Sequence, residues 1–386
     1  MGRRGRAAAR QAHQVRAPRR TVLTGVPDLR QGGSHVLSTV QQAQTSAGDL
    51  FRRGLVIPAH PLALTQDRKL DERRQRALTR YYVEAGAGGL AVGVHTTQFA
   101  IHGTDLLPPV LELAARTAGE SGRDVVLVAG ATGSTAQAVA EAELARSLGY
   151  HMVLLSPYRE LDEDALVERA RAVGEVLPVI GFYLQPAVGG KPLSRDFWTR
   201  LASIESVVGI KVAPFDRYRT LDVLHGVVRA GRAGEVALYT GNDDHILADL
   251  ITPHRVVVDG REVEIEFVGG LLGQWAVWVR RAVELLEEAT RAREGDDAAV
   301  RGLLSLDGHL TDANAAIFDS ANGFHGCIPG IHEVLRRQGL LAGRWCLDPA
   351  EDLSPGQLAE IDRIWAAYPW LRDDEFVADG LSRWLS

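Results

Sequence analysis

A lysine and a tyrosine lie within two apolar stretches that follow one another along the chain. Lys211 is part of SVVGIKVAPF (206–215), and Tyr183 is part of VIGFYLQPAVGG (179–190). Burial of an ammonium group costs free energy unless the group is paired or neutral, so the lysine needs an explanation. It either extends to solvent from a strand end, or burial lowers its pKa and the neutral amine forms an imine with a ketone or aldehyde.

Tyr183 favours the second interpretation if it faces the same pocket as Lys211. From the end of a neighbouring strand, its hydroxyl could carry a proton to and from the carbinolamine that precedes the imine. The alternative is a core tyrosine whose hydroxyl is hydrogen-bonded inside the protein. The two residues alone leave both interpretations open.

Short apolar stretches alternate with amphipathic, Ala- and Arg-rich segments from residue 54 onward, which is typical of repeated βα units. Eight strands, each followed by a helix, predict an α/β fold of the (β/α)8 TIM-barrel type, although an open parallel sheet fits the same pattern. In a barrel the C-terminal strand ends surround the active site, so Tyr183 and Lys211 would converge there. The predicted strands are 54–59, 88–94, 124–130, 151–157, 178–184, 206–213, 235–241 and 262–270.

The helices between these strands are predicted from amphipathic segments, several of which begin at a good N-cap residue. They cover Asp71–Ala85, Ser134–Leu148, Asp162–Val176, Asp216–Arg229 and Leu271–Arg293. An Asp259–Gly260 turn predicts a hairpin before or including the last strand. Strand patterns stop near residue 296. The sequence therefore predicts an extension (1–50), a barrel (51–295) and a C-terminal helical subdomain (296–386).

The composition is that of an ordinary globular protein. Among 386 residues, 46% are apolar and 24% are charged, which provides for a sizeable core and excludes disorder of the whole chain. Apolar runs are too short to span a membrane, and the N-terminus lacks the apolar centre of a signal peptide, so we expect a cytoplasmic protein. Cys327 and Cys346 lack metal-ligand spacing.

Residues 1–20 contain seven arginines and no acidic residue. Such an arm could bind polyanions or resemble a transit peptide, or it could be a disordered extension without a function of its own. The net charge of −6 argues against nucleic acid as the main partner. We therefore favour the disordered extension.

Several motifs, taken in order, resemble the dihydrodipicolinate synthase and N-acetylneuraminate lyase family over about residues 54–370. GVHTTQF contains paired threonines at Thr96 and Thr97, GFYLQP matches a Tyr-x-x-Pro motif, and GIKVA matches Gly-Ile-Lys. Tyr183 and Lys211 are 28 residues apart, as in the family. The segments IPGIHEVLRRQGLLAG and DLSPGQLAEID resemble the family's C-terminal helices.

This resemblance implies that Lys211 forms a Schiff base with pyruvate or another 2-oxo acid and that Tyr183 is the proton shuttle. Hydroxyls and backbone N–H groups around Thr96 and Thr97 would hold the substrate carboxylate, for which such donors are suited, although the same residues also fit a plain βα turn. Val188 and Gly241 would border the substrate. The lysine imine implies that no cofactor and no metal are used, and the family suggests a homodimer or homotetramer.

Three positions depart from the family pattern. Gln98 and Phe99 stand where Gly-Glu commonly follows the threonines. Arg159 stands where many members have a tyrosine that completes a proton relay across a subunit interface, unless Tyr158 replaces it. Val188 stands where true dihydrodipicolinate synthases carry an arginine for the carboxylate of aspartate semialdehyde. An apolar side chain cannot replace a guanidinium, so a role in lysine biosynthesis is disfavoured.

Other polar residues also lie near predicted strand ends. They are His60, His95, Asn242, Asp243, Asp244 and His245. Two acids and a histidine in one turn could suggest a metal, but an aspartate there commonly caps a helix, which we prefer. VGGLLGQ (268–274) could hold a phosphate after the last strand, although glycines alone do not establish such a site.

The sequence thus predicts a Schiff-base-forming carbon–carbon lyase or aldolase that acts on pyruvate or a related 2-oxo acid and an aldehyde. One alternative is a sugar-acid dehydratase that uses the same lysine imine. Another is a non-catalytic barrel that binds an oxo acid or sugar. A nucleic-acid or partner-binding module built on the basic arm is disfavoured, because the arm is independent of the barrel pattern.

Overall fold

Eight parallel strands form a barrel in the computed structural model, which describes residues 46–386. The strands are short and buried, as expected for a parallel sheet covered by helices. Two further strands form a separate hairpin. In chain order the barrel strands are β1 (Val56–Pro58), β2 (Gly89–Val92), β3 (Val126–Ala131), β4 (Met152–Leu155), β5 (Val179–Leu184), β6 (Val207–Ala213), β7 (Ala237–Thr240) and β10 (Phe267–Leu272), and the hairpin strands are β8 (His254–Val258) and β9 (Arg261–Ile265).

The barrel closes between its first two strands. β1 pairs with β10, and the order then runs through β7, β6, β5, β4 and β3 to β2. An Ala59–Ala91 bridge and a hydrogen bond from His60 N to Ala91 O (2.8 Å) join β1 to β2. The predicted (β/α)8 barrel is therefore confirmed, and the open sheet is excluded.

Helices surround the barrel and also form the C-terminal region. Three of the predicted N-caps are present, since Asp71, Ser134 and Asp162 each accept a hydrogen bond from a backbone N–H three residues later. The helices are α1 (46–53), α2 (Glu72–Ala85), α3 (Leu107–Glu120), α4 (Thr135–Ser147), α5 (Glu163–Gly174), α6 (Arg195–Ala202), α7 (Arg217–Arg229), α8 (Ile246–Ile251), α9 (Val279–Arg293), α10 (Asp297–Ile317), α11 (Cys327–Arg337), α12 (Gln357–Ala367) and α13 (Asp374–Trp384).

Two predicted boundaries near the last barrel strand are wrong. The hairpin turns at Asp259 and Gly260, which both have positive φ (49° and 74°), as its two-residue turn requires. The predicted strand 262–270 merges the second hairpin strand, β9, with the start of β10. The predicted helix 271–293 begins only at Val279, because Leu271 and Leu272 complete β10.

Helix α1 packs against the N-terminal end of the barrel. The ring of Phe51 stacks on that of Tyr239, with 4.4 Å between centroids, and the Tyr239 hydroxyl donates to Phe51 O at 2.6 Å. A Cβ at Gly209 would lie 2.7 Å from the Phe51 ring, so glycine is required at that approach. The predicted boundary at residue 51 falls inside this helix, while the Arg-rich arm lies outside the described residues.

The C-terminal helices pack back onto the first barrel helix. Arg80 on α2 donates to Trp384 O at 2.9 Å, and the Tyr81 hydroxyl donates to Asp373 at 2.7 Å. Within residues 46–386, no helix combines the length and apolarity that crossing a membrane requires.

Side chains of the barrel strands alternate between two apolar clusters. One cluster fills the barrel interior and includes Ile180, Phe182 and Leu184 of β5. The other lies between strands and helices and includes Val179 and Tyr183 of the same strand. This alternation decides which residues can reach a pocket inside the barrel.

Candidate active site

A pocket opens at the C-terminal ends of the barrel strands. The space between its lining residues is partly continuous with open solvent and measures about 510 Å³ when the open part is included. Its wall comes from residues at or after the ends of β1, β2, β5, β6, β7 and β10 and from the segment around α11. The lining residues are Ala59, His95, Thr96, Phe182, Leu184, Gln185, Val188, Lys211, Ala213, Phe215, Gly241, Asp243, Gly273, Phe318, Phe324 and Cys327.

Lys211 lies in the middle of β6 and points into this pocket. It is only 6% exposed, so it does not extend to solvent from a strand end. Its Nζ lies 4.5 Å from the centroid of the Phe182 ring, on the neighbouring strand. Burial lowers the pKa of the amine to about 8, although the nearby Asp243 carboxylate and Cys327 act in the opposite direction. A substantial neutral fraction near pH 7 to 8 makes the amine a competent nucleophile.

Gly241 follows β7 and lies directly beside the lysine side chain. A Cβ at this position would lie 2.7 Å from Lys211 Cε and 2.8 Å from Ala213 Cβ. Any larger residue would therefore displace the amine. Gly241 borders the pocket, and its role is to leave room for the nucleophile.

Asp243 is the acidic residue that faces the same pocket. Its Oδ1 accepts a hydrogen bond from Gln274 N at 3.0 Å, which fixes the carboxyl group. Burial raises its pKa to about 7, while the hydrogen bond from Gln274 and the charge of Lys211 act to lower it. In the described part of the chain no ion pair within 4.0 Å joins Asp243 to Lys211. The two groups thus line one pocket, and the charge of each affects the pKa of the other.

The two predicted threonines have different environments. Thr96 lines the pocket, and its buried Oγ1 has no hydrogen-bond partner within the described chain. Thr97 Oγ1 instead donates to His60 O at 2.7 Å and accepts from Gly93 N and Val94 N. Thr97 therefore fixes the turn, whereas Thr96 lines the pocket with a hydroxyl group that has no partner in the described chain.

Tyr183 does not line the pocket, so its predicted convergence with Lys211 is not found. Its hydroxyl accepts from Arg219 Nη1 (3.2 Å) and Leu193 N (3.4 Å), and its ring packs on Trp198 between the strands and the helices. The cause is a register shift: Val179 pairs with Val207, but Ile180 pairs with Gly209. The extra residue in β6 places Phe182, and not Tyr183, opposite Lys211.

The residues that depart from the family pattern differ in whether they line the pocket. Val188 lines the pocket. The Gln98 side chain accepts from Leu347 N at 2.6 Å, which ties the turn after the threonines to the C-terminal region. Phe99 and Tyr158 line a separate, open cleft, and Arg159 is absent from the pocket lining.

Of the other polar candidates, His95 and Asp243 line the pocket. Burial and the charge of Lys211 lower the pKa of His95 to about 4, so its imidazole is neutral at pH 7. His60 lies in the core, where its ring nitrogens contact Pro61 O and Thr79 Oγ1. The remaining three, Asn242, Asp244 and His245, are absent from the pocket lining.

Neither a metal nor a phosphate site emerges from these residues. Residues 46–386 contain no group of three or more His, Cys, Asp or Glu side chains placed to hold a metal ion. Gly269 and Gly270 serve packing, since a Cβ at Gly269 would lie 2.5 Å from Leu55 O and one at Gly270 would lie 2.6 Å from the Trp275 ring, whereas Gly273 lines the pocket.

Among the lining residues that sequence reasoning did not single out, four are aromatic. Phe182 and Phe215 lie at and just after the ends of β5 and β6, where the strand-end rule could have found them. Phe318, Phe324 and Cys327 come from the region between α10 and α11. Nothing in the sequence near the catalytic motifs signals that this distant segment reaches the barrel.

Residues 53–256 match the family model described as the dihydrodipicolinate synthetase family. Solved structures with a similar fold include dihydrodipicolinate synthase from Oceanobacillus iheyensis, at 20% identity over 84% of this chain and 99% of that chain, with a TM-score of 0.63. N-acetylneuraminate lyase from Fusobacterium nucleatum complexed with pyruvate is 19% identical over 82% of this chain and 97% of that chain, with a TM-score of 0.64. These low identities show the fold alone, and no curated protein matches the sequence significantly.

Proposed function

The chain belongs to the dihydrodipicolinate synthetase family, and on this premise we propose that it is a carbon–carbon lyase that forms a Schiff base between Lys211 and pyruvate or a related 2-oxo acid. The observation that carries the proposal is the environment of Lys211. Its amine is buried beside Phe182, has a lowered pKa, and shares one pocket with the unpartnered hydroxyl of Thr96. A nucleophile for the ketone and a donor for the carboxylate are therefore present together.

The reaction begins with binding of the 2-oxo acid. The Thr96 hydroxyl donates to the substrate carboxylate, which holds the adjacent ketone toward Lys211 Nζ. The neutral amine then adds to the ketone carbon, and the carbonyl oxygen takes up a proton to give a carbinolamine. Loss of water from the carbinolamine leaves the iminium ion, which is the only electron sink that the mechanism needs, so no cofactor takes part.

Asp243 is the group that we assign to these proton transfers. Tyr183 cannot perform them, because its hydroxyl lies outside the pocket, whereas Asp243 lines the same pocket as Lys211. A carboxyl group with a pKa raised to about 7 can both give and accept a proton near neutral pH. Its carboxylic acid form protonates the departing hydroxyl group of the carbinolamine, and its carboxylate form removes a proton from C3 of the iminium to give the enamine.

The enamine then forms or reverses the carbon–carbon bond. In the synthetic direction its C3 attacks an aldehyde carbon, the carbonyl electron pair moves to the aldehyde oxygen, and that oxygen takes the proton held by Asp243. Water hydrolyses the new iminium and regenerates Lys211. In the cleavage direction the same steps run backwards and release the aldehyde and the 2-oxo acid.

Reductive trapping tests the proposal sharply because the chain has three lysines, Lys69, Lys191 and Lys211. The full-length protein is incubated with pyruvate and borohydride, digested, and analysed by mass spectrometry. We expect the reduced pyruvyl group only on the peptide that contains Lys211, and none in Lys211→Ala. Lys191→Arg is the matched control, since this amine contacts only backbone carbonyls near the surface.

Absence of an adduct with pyruvate and with a panel of other 2-oxo acids contradicts the Schiff-base mechanism. An adduct on Lys211 without carbon–carbon bond formation or cleavage favours the binding protein over the lyase. Release of water from a hydroxylated sugar acid, without carbon–carbon cleavage, favours the dehydratase.

A further inference from the structure

Aromatic and aliphatic side chains line part of the pocket that contains Lys211. Val188 follows β5, Phe215 follows β6, and Phe318 and Phe324 approach from the C-terminal region. The rings of Phe215 and Phe324 pack edge to face, with 5.8 Å between centroids. Together these four residues form what we call the aromatic wall.

The backbone holds two rings of the aromatic wall in a conformation that bulky residues rarely adopt. Phe215 has φ of 52° and Phe324 has φ of 69°. Each is fixed by a hydrogen bond from its own N–H, to Asn242 Oδ1 (3.1 Å) and to Asp319 O (3.0 Å), respectively. Such strain persists only where the surroundings impose it, and here it directs both rings into the pocket.

Among the lining residues that the structure describes, no cation is left to pair with an anionic acceptor once the imine has formed, and the polar side chains besides Lys211, Thr96 and Asp243 are His95 and Gln185. No arginine is present in its lining, and its single ammonium, Lys211, is consumed by the imine. Thr96 is assigned to the carboxylate of the 2-oxo acid, and Asp243 carries the moving proton. An acceptor carboxylate would therefore be buried beside Asp243 without a cationic partner, whereas an apolar substituent would pack against the four residues of the aromatic wall.

We propose that the aldehyde partner of the enamine is an uncharged compound with an aromatic or branched aliphatic side chain, which packs against the aromatic wall. This inference rests on the proposed lyase function and narrows its second substrate. The enamine C3 forms a bond to the aldehyde carbon, the aldehyde oxygen becomes a hydroxyl group by taking a proton, and hydrolysis releases a 4-hydroxy-2-oxo acid with an apolar substituent at C4. The cleavage of that acid is the reverse reaction.

An aldehyde panel at saturating pyruvate tests the inference. Benzaldehyde and isobutyraldehyde are compared with glyceraldehyde and succinic semialdehyde, and both pyruvate consumption and the mass of the product are followed. We expect kcat/KM to be at least about tenfold higher for the two apolar aldehydes, because their substituents pack against the aromatic wall, which offers polar substituents no hydrogen bonds. Equal or higher values for glyceraldehyde or succinic semialdehyde, or no reaction with any of the four despite trapping on Lys211, overturn it.

Variants of Phe324 test whether the aromatic wall causes the preference for apolar aldehydes. Phe324→Ala is expected to lower kcat/KM for benzaldehyde about tenfold and to reduce its advantage over glyceraldehyde. Phe324→Tyr keeps the ring and adds a hydroxyl group, so it should fold and should reduce the same ratio. Phe376→Ala is the control, because Phe376 packs on Tyr81 and Trp384 outside the pocket and should leave the ratio unchanged. An unchanged ratio in both Phe324 variants contradicts the inference.

A binding measurement separates this inference from the lyase function. Calorimetric titration of the full-length protein with benzyl alcohol and with glycerol requires no imine. Binding of benzyl alcohol that weakens at least about tenfold in Phe324→Ala supports an apolar acceptor site even if trapping on Lys211 fails, in which case only the lyase function falls. Trapping on Lys211 without any benzyl alcohol binding retains the lyase function and removes the apolar acceptor.

Discussion

Tyr183 and Lys211 lie on opposite sides of the barrel wall. Phe182 pairs with Lys211, and Tyr183 pairs with Val212, because β6 carries one extra residue between its pairs with Val179 and Ile180. Without that shift, the register set by Val179 and Val207 would bring Tyr183 opposite Lys211. The spacing of 28 residues is thus compatible with two opposite orientations of the tyrosine, and our proposal therefore assigns the proton transfers to Asp243.

Conservative replacement of Asp243 should lower kcat far more than conservative replacement of Tyr183. Asp243→Asn should lower kcat about 10²- to 10⁴-fold, the usual contribution of a general acid–base group. Tyr183→Phe should change kcat less than about tenfold and should lower the free energy of unfolding by about 1 kcal/mol, because only structural hydrogen bonds are lost. The measurements are steady-state kinetics and denaturant unfolding. A larger loss of kcat in Tyr183→Phe than in Asp243→Asn contradicts the assignment.

The rate of adduct formation should rise with pH as Lys211 loses its proton. The amine is neutral above its pKa of about 8, and the Asp243 carboxylate raises that pKa. Removal of this charge in Asp243→Asn should therefore shift the ascending part of the pH profile to lower pH. Asp243→Glu, which keeps the charge, should leave it closer to the wild-type position. The profile is obtained from trapping rates with pyruvate, and a shift to higher pH in Asp243→Asn refutes the proposed coupling.

Substitution of Thr96 should weaken substrate binding, whereas substitution of the adjacent Thr97 should lower folding stability. Thr96→Val removes an unpartnered buried hydroxyl, so KM for pyruvate should rise roughly ten- to hundredfold without a loss of folding stability. Thr97→Val removes the acceptor of Gly93 N and Val94 N and should lower the free energy of unfolding by about 1–3 kcal/mol. Kinetics and denaturant unfolding of both variants provide the check. The opposite assignment of the two effects is the result that would reject this division of roles.

Replacement of the buried lysine should stabilise the fold at neutral pH. The pKa of Lys211 is lowered from 10.5 to about 8, so between these pH values the unfolded chain binds more protons than the folded chain. The free energy of unfolding therefore rises with pH in this range, and below about pH 8 the full cost of the buried charge is present. Lys211→Met should therefore raise the free energy of unfolding at pH 7 by about 1–3 kcal/mol, with Asp243 offsetting part of the gain. The advantage should shrink toward pH 10. The exposed Lys69→Met should change stability by less than about 0.5 kcal/mol, and a destabilised Lys211→Met contradicts the argument.

The sequence predicts the barrel well because βα repeats produce strong local patterns. Apolar strands, capped helices and the position of Lys211 in β6 all depend on residues close in the chain. The side that Tyr183 faces depends instead on a single extra residue in β6, which apolar periodicity does not reveal. The sequence also does not separate β9 from β10, because the hairpin strand and the barrel strand follow one another without a break in the apolar pattern.

The aromatic wall shows a second limit of sequence reasoning. Phe318 and Phe324 are more than a hundred residues from Lys211, and no local motif connects them to the strand ends. Their contribution depends on how α10 and α11 pack, which is a tertiary property. Asp243, in contrast, follows β7 directly and could be named as a candidate from the sequence, although its burial could not.

The contact between α2 and α13 has a consequence for synthesis of the protein on the ribosome. Tyr81 cannot form its hydrogen bond with Asp373 until that residue, 292 positions later, has been synthesised. In the same way, β1 cannot pair with β10 and close the barrel until β10 has been made. Contacts of such long range make folding slow. A nascent chain that has left the ribosome only as far as Lys211 therefore lacks the residues of the aromatic wall that lie further along the chain. It acquires a finished pocket only after Cys327 has left the exit tunnel, so partly made chains should be unable to consume the 2-oxo acid.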